Sequence, residues 1–470
     1  MMKDSKVIAA LKDAILRSGL KDGMRISFHH HLRNGDGVMN MVLGELAAMG
    51  YRDLTVNSSS VFDVQSPIID HVKSGVVGRI ETNYMGAKVG RFISAGGMKE
   101  PVVFRSHGGR PSAVENGVTP IDVAFVAAPT ADPMGNATGK IGKSACGSLG
   151  YAEADARCAK HTIVVTDNLV PYPLEDAMIQ EQWVDGVVAV DSIGDPQGIV
   201  SGTTRITRDP VGLVMARTTV DVIRASGLLR DGFSFQTGAG GASLAAAKFL
   251  KDVMLAEKIQ GSYALGGVTS AIVDMLNAGC FRSIMDVQCF DLGAVASIRD
   301  NPRHVEISAT RYASPTSKSC CVDSLDAAIL GATEIDTDFN VNVHTDSNGF
   351  IMGGSGGHSD VAAGAKLCII VAPLIRARLP IVTDRVTTIS TPGRTVDVLV
   401  TQKGVAVNPA RAALRDRLAE AGVKVVDIHD LKAAAEKLTG APRRPARGTR
   451  EVAKVVYRDE TQIDSIKSVK

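Results

Sequence analysis

The chain has 470 residues, which predicts two or three domains of about 100–200 residues each. Hydrophobic residues are 45% and charged residues 22%, which excludes disorder as the main state. Lys+Arg 52 against Asp+Glu 50 leaves a net charge of +2, so nothing suggests a nucleic-acid partner. Glycine is abundant at 47 residues and aromatics are only 4%, a pairing that fits the tight strand–loop–helix turns of an α/β enzyme.

The N-terminal MMKDSKVIAALKDAILRSGLKDG reads as an amphipathic helix, with Lys and Asp too frequent for a signal-peptide core. A strand (Met24–Phe28) then leads into the polar loop HHHLRNGDG (29–37) and a helix over 38–50. The same order recurs later. Ser18-Gly-Leu-Lys-Asp-Gly resembles Ser226-Gly-Leu-Leu-Arg-Asp-Gly, and the second copy continues through the loop QTGAGGAS (236–243) into a helix over 244–257. IDVAFVAAPTADPMGNA (121–137) resembles LDAAILGATEIDTDFNV (325–341), and the apolar strands HTIVVTD (161–167) and LCIIVAP (367–373) follow in turn. The offset stays at about 204–208 residues. The expectation is two tandem homologous α/β domains, 1–215 and 216–470, with mainly parallel sheets and helices on the faces. Helices over 408–422 and 431–440 precede a tail, 441–470. There Arg443, Arg444, Arg447 and Arg450 read as a solvated loop or an anion-docking patch, and 452 onward reads as a hairpin. No apolar run of about 18 residues occurs, so no membrane association is expected. Seven scattered cysteines without a CxxC motif suggest a reduced, cytoplasmic protein.

Two glycine loops carry candidate chemistry. Gly238-Ala239-Gly240-Gly241 follows a strand and opens a helix, where backbone N–H groups favour an anion; a plain tight turn is the alternative. GNATGKIGKS (135–144) fails as a phosphate loop, because Ala137 stands where the first glycine is required. In TDSNGFIMGGSGGHSD (345–360), Gly353, Gly354, Gly356 and Gly357 have the make-up of an oxyanion hole. His358 and Asp360 follow as candidate catalytic groups, unless Asp360 only caps the next helix. Asn348, in the same stretch, joins the candidate substrate-binding residues.

His29, His30 and His31 cannot all chelate one ion from a strand, since neighbours alternate faces, so no metal is expected. His30 and His31 with Arg33 instead suit an anionic substrate. Arg105, His107 and Arg110 form a second positive cluster at a predicted strand end. A structural role is the alternative for each.

FHHHLRNGD (28–36), SHGGR (106–110), CGSLGYA (146–152), VPYP (170–173), QTGAGGASLA (236–245), EIDTDFNVNV (334–343), GGSGGHSD (353–360) and VDVLVTQKGVAVNPAR (396–411) together resemble the citrate lyase alpha subunit family, in order along the whole chain. The resemblance implies two CoA-transferase-like domains of the NagB/RpiA type. It also implies a citrate CoA-transferase that exchanges acetyl for citryl on the dephospho-CoA-derived thiol of an acyl carrier protein and releases acetate. The implied partners are a beta (lyase) subunit and a gamma (acyl carrier protein) subunit. CoA or its derivative serves as co-substrate and no cofactor is tightly bound. Gly238–Gly241, Gly353 and Gly354 would hold the thiol arm, Gly356, Gly357 and His358 would act at the reacting carbonyl, and the cationic clusters would hold citrate. Many CoA-transferases use a nucleophilic glutamate. The matching stretch here, GSYALGGVTSAIVDMLNAG (261–279), puts Gly266 or a close neighbour at that place, and no acid lies between Lys258 and Asp274. Direct transfer through a mixed anhydride is therefore expected. Glu115 in VENG reads as a decoy in the wrong copy, and Glu334 as a strand-end acid near the glycine loop. A glutamate-dependent CoA-transferase, a citramalate CoA-transferase and a silent assembly subunit are the rival readings.

Overall fold

A computed structural model describes residues 5–200, 205–442 and 446–469. Two sheets dominate it, and they share one winding. In the first, the order is Val7–Ile8, Gly186–Ala189, His161–Thr166, Val123–Ala128, Arg25–Phe28, Leu54–Ser58, Val77–Thr82 and Val102–Phe104, all parallel. In the second, Val398–Thr401, Leu367–Val371, Ala327–Leu330, Phe235–Thr237, Gly261–Val268, Phe281–Cys289 and His304–Glu306 repeat that order. Its outer strand, Gly404–Val407, is antiparallel. The repeat seen in the sequence is thus a repeat of topology.

Helices cover both faces, so the central strands are buried on both sides and carry apolar runs rather than alternation. All of Val123–Ala128 and Leu367–Val371 is buried. Stacked rings fill the inner layers: Phe28 on Phe125 at 5.7 Å, and Phe233 on Phe235 at 6.0 Å. Burying each such ring is worth roughly 1.5–3 kcal/mol.

Three features differ from the expectations. Val7 and Ile8, expected in a helix, form an edge strand on Val187 and Val188; the helix starts only at Leu11. The expected boundary at 215/216 falls inside the helix Pro210–Ala225. Asp209 caps this helix and Pro210 opens it, the usual N-terminal signal. It packs on the helix Gly241–Ala256 and on the second sheet. The tail crosses back rather than staying with the second domain. Arg447–Val456 pairs parallel with Val102–Phe104 of the first sheet, and Gln462–Val469 closes the hairpin. Arg447 and Arg450 belong to that strand and donate to the carbonyls of Thr387 and Lys99, rather than lying in a solvated loop. Arg443 and Arg444 lie outside the described residues. All seven cysteines are free thiols. Among the described residues no helix is long and apolar enough to cross a membrane, and no three His, Cys, Asp or Glu side chains are grouped to hold a metal ion.

Candidate active site

Open parallel sheets gather ligands at the carboxyl ends of their strands, where the winding reverses. In the first sheet that point is Arg25–Phe28. The chain winds from it to Leu54–Ser58, Val77–Thr82 and Val102–Phe104 on one side, then returns to Val123–Ala128 on the other. The loop leaving this strand carries His29–His31. Phe235–Thr237 holds the same place in the second sheet, and its loop is Gly238–Gly241.

The loops of the two sheets meet. The His30 ring stacks on Tyr151 at 4.8 Å and on His107 at 5.4 Å, and His107 lies 4.4 Å from Tyr151. The His31 ring lies 5.6 Å from Tyr151. His30 Nδ1 is 2.6 Å from Ser59 Oγ, and the Gln288 side chain, from the second sheet, donates to the His30 carbonyl at 3.0 Å. The long glycine loop closes over this cluster. The Gly356 carbonyl accepts from the His107 N–H at 2.8 Å, and the Gly353 carbonyl accepts from the Met85 N–H at 3.1 Å. From beneath, Gln236 Nε2 donates to the Tyr312 hydroxyl at 2.9 Å. A Cβ on Gly357 would collide with that hydroxyl, and one on Gly354 would collide with the Asn83 carbonyl.

Burial sets the charges. It pushes the His29 and His107 rings down to about 3 and holds His30 and His31 well below their ordinary value. The rings are therefore neutral, each offering one donor and one acceptor. Arg33 is the cation of the cluster. Its guanidinium lies 4.6 Å from the Phe290 ring and 5.4 Å from the Phe62 ring. Several buried polar atoms here have no protein partner: both His31 nitrogens, His107 Nδ1, Arg33 Nε and Nη1, Asn83 Oδ1 and Gln236 Oε1. Each unpaired buried group costs about 1–3 kcal/mol. So many converging on one place suit a ligand rich in carboxylates and hydroxyls.

The structure brings His30, His31, Arg33, His107, Gly356 and Gly357 together, with Gly353 and Gly354 alongside. It separates or re-employs the rest. Arg110 does not face the cluster as a free cation: its guanidinium clamps Asp155 at 2.7 and 2.8 Å and donates to Asn57, all buried. Arg105 is likewise held by both oxygens of Glu460. The positive clusters expected from sequence thus reduce to Arg33. Asn348 stands exposed on the turn closed by Asp346, beside the tail hairpin, where Gly349 faces Val469; no contact among the described residues joins it to the histidines. His358 is pinned at both ring nitrogens, to Thr391 Oγ1 at 2.7 Å and to the Gly331 carbonyl at 2.9 Å, so it has neither proton nor lone pair free for catalysis. The Gly356 N–H is spent on the Asn83 carbonyl at 3.2 Å. The Gly354, Ser355 and Gly357 N–H groups have no acceptor among the described residues.

Asp360 caps no helix. It accepts from Ser106 Oγ at 2.7 Å and from the Gly108 N–H at 2.8 Å, bracketing His107. Glu115 pairs with Arg157 and Thr310, and Glu334 binds Thr387 and Asn342, so both acids are occupied away from the site. Tyr84, Tyr151, Tyr312, Phe62, Asn83 and Gln236 escaped the sequence reading. The chain has only 7 tyrosines, and three of them converge here; only Tyr84, just past the strand Val77–Thr82, offered a signal in the sequence.

The winding is that of a CoA-transferase-like α/β fold. The same fold occurs in a malonate decarboxylase alpha subunit from Acinetobacter baumannii (TM-score 0.69, 17% identity, 93% of each chain covered). A family model described as citrate lyase, alpha subunit, matches residues 4–469. The citrate lyase alpha chain of Klebsiella pneumoniae is 50% identical over 468 residues, covering 100% of this chain and 92% of that one; the Escherichia coli K12 chain is 49% identical over the same span. A crystal structure described as the alpha subunit of citrate lyase in complex with citrate, from Streptococcus mutans, superimposes with a TM-score of 0.98 at 46% identity, covering 100% of this chain and 92% of that one. The chain belongs to the citrate lyase alpha subunit family.

Proposed function

We propose that this chain is a citrate CoA-transferase. It exchanges acetyl for citryl on the CoA-type thiol of an acyl carrier protein, without a covalent enzyme intermediate. Within the complex, the carrier would be the gamma subunit, and the beta subunit would cleave the citryl thioester. Arg33, His31 and His107 hold citrate. One citrate carboxylate oxygen adds to the acetyl thioester carbonyl, and the oxyanion is met by the Gly357 N–H. The C–S bond breaks and leaves a thiolate with an acetyl–citryl anhydride. The thiolate then adds to the citryl carbonyl, the C–O bond of the anhydride breaks, and acetate departs. One thioester replaces another, so the protein supplies position, amide donors and exclusion of water rather than driving force; held reactants reach effective molarities of about 10⁵–10⁸ M.

The observation that carries this reading is position 266. The resemblance puts the nucleophile of a covalent route at Gly266 or a close neighbour, and no acid lies between Lys258 and Asp274; Gly266 itself sits at φ +108°, and an added Cβ would come within 2.6 Å of Gln236 Nε2. The left-handed backbone at this position disfavours a glutamate, and a side chain there would also have to displace the Gln236 amide. The test is trapping: protein mixed with acetyl-CoA and citrate is quenched with hydroxylamine or borohydride and mapped by mass spectrometry. Acetate release with every glutamate unmodified is expected. A glutamyl thioester on any peptide overturns the direct route. Replacing citrate by citramalate in the same assay fixes the acceptor.

A further inference from the structure

We propose that a basic cleft beside the Gly238–Gly241 loop binds the diphosphate end of the CoA-type thiol. This rests on the transfer reaction proposed above and locates its second substrate. The cleft encloses about 990 Å³, within the size range of ligand pockets. Arg205, Arg208, Arg217 and Lys248 line it, and no carboxylate does. In a chain whose net charge is only +2, that concentration of one sign marks an anion site. The side chains of Arg205, Arg208 and Lys248 pair with no described residue, and Arg217 lies over the Phe249 ring at 5.2 Å. The nearest acid in sequence, Asp209, is committed to the Gly212 N–H as a helix cap. Lys248 also borders the adjoining recess, which Lys251 lines together with Asp252, Asp274 and Asp291.

The cleft connects to the reaction centre through the glycine loop. The segment carrying Arg205 and Arg208 is tied to that loop, because the Thr207 N–H donates to the Gly241 carbonyl at 3.1 Å. Going the other way, the loop begins two residues after Gln236, which contacts Tyr312 at the floor of the site. The fold itself does not require glycine at Gly238 or Gly240. Neither has a positive φ, and an added Cβ would meet nothing closer than 3.6 Å and 3.9 Å respectively. The open strip above them suits a linear arm lying close to the backbone. A CoA-type thiol has that shape: a flexible chain ending in the sulfur, with a dianionic diphosphate and a nucleoside at the other end. With the diphosphate among the four cations, the arm runs over Gly240 and Gly238 and delivers sulfur towards Gln236 and Gly357.

ADP is the probe for the anionic end. Calorimetry should show ADP binding to the full chain, weakened by salt because the cations are exposed, and CoA should compete with it. In Arg208→Glu/Lys248→Glu, both side chains being exposed, the melting temperature should hold. The ADP dissociation constant and the KM for acetyl-CoA should each rise at least about tenfold, with the KM for citrate unmoved. A wild-type chain that ignores ADP, a double variant that binds it unchanged, or ADP binding that CoA does not displace would each overturn the assignment. The two readings fail separately. ADP and CoA binding through the cleft with no citrate-dependent acetate release sinks the reaction and keeps the cleft. Acetate release with an unchanged KM for acetyl-CoA in the double variant does the reverse.

Discussion

His107 and Gly356 hold each other: the His107 N–H donates to the Gly356 carbonyl at 2.8 Å, and a Cβ on Gly356 would lie 3.2 Å from His107 Nε2. Gly356 also sits at φ +50°, where a side-chain-bearing residue costs about 1–2 kcal/mol. Gly356→Val should therefore push the imidazole out of line with Tyr151 and the substrate. A displacement near 1 Å is enough to lower kcat/KM by about 10²-fold. The melting temperature should fall only by what the backbone penalty dictates. Retained kcat/KM in a folded variant removes His107 from the reaction geometry.

Arg33 is the cluster's remaining free cation, and its Nε and Nη1 are buried without a partner. A charge-assisted hydrogen bond contributes about 1.5–3 kcal/mol. Arg33→Ala should thus raise the KM for citrate by about 10- to 100-fold, with a much smaller effect on the KM for acetyl-CoA. Arg33→Lys should recover only part of the loss, since an ammonium loses the planar fork and the stacking on Phe290. Equal shifts in both KM values would mean that Arg33 does not distinguish the two substrates.

The repeat was legible because it is local. Each copy writes strand, loop and helix in the same order, and the loops leaving the switch-point strands carried the histidines and glycines that stood out. What failed was long-range pairing. Arg110 reads as a free cation until Asp155, 45 positions on, folds against it. His358 reads as catalytic until Thr391 and Gly331 take both its nitrogens. The tail hairpin reads as an appendage of the second domain because its ladder partner, Val102–Phe104, is more than three hundred residues upstream. The aromatic floor was missed for the same reason: Tyr151 and Tyr312 meet the site only after the sheets dock.

Burial of neutral histidines makes acid sensitivity a property of this fold. His29, His107 and His344 are pushed down to about 3 and His358 to about 4, with His30 and His31 also well below 6.5. The unfolded chain protonates these six rings below pH 6.5 and the folded chain does not, so stability falls as pH drops through that value. Asp36 and Asp360, each raised to about 6, act in the opposite sense, because their folded forms take up protons first. Glu306, Asp336 and Asp397 are raised as well and His71 is lowered, so seven rings stand against five carboxyls, and the rings outweigh them between pH 6.5 and about 5. The melting temperature should decline across that window. A flat or rising profile there would show that the histidines are charged in the folded state.

The tail hairpin reaches the site through Arg458. Its Nε lies 3.8 Å from Asp360 Oδ1, and its Nη2 donates to the Ala313 carbonyl at 3.2 Å. Asp360 in turn accepts from Ser106 and Gly108 on either side of His107, so both carboxylate oxygens work as acceptors and the ionised form is the one that holds the loop. Burial raises this carboxyl to about 6, and the Arg458 charge is what keeps it from rising further. Activity should therefore fall as pH drops through about 6. In Arg458→Ala the acid limb of the pH–rate profile should move to higher pH, because the lowering influence is gone. Asp360→Ala should lose activity at every pH and cost about 1–3 kcal/mol of stability, since Ser106 Oγ and the Gly108 N–H are left without an acceptor. An acid limb that stays in place in Arg458→Ala would mean that the hairpin braces the two sheets without tuning the loop that carries His107.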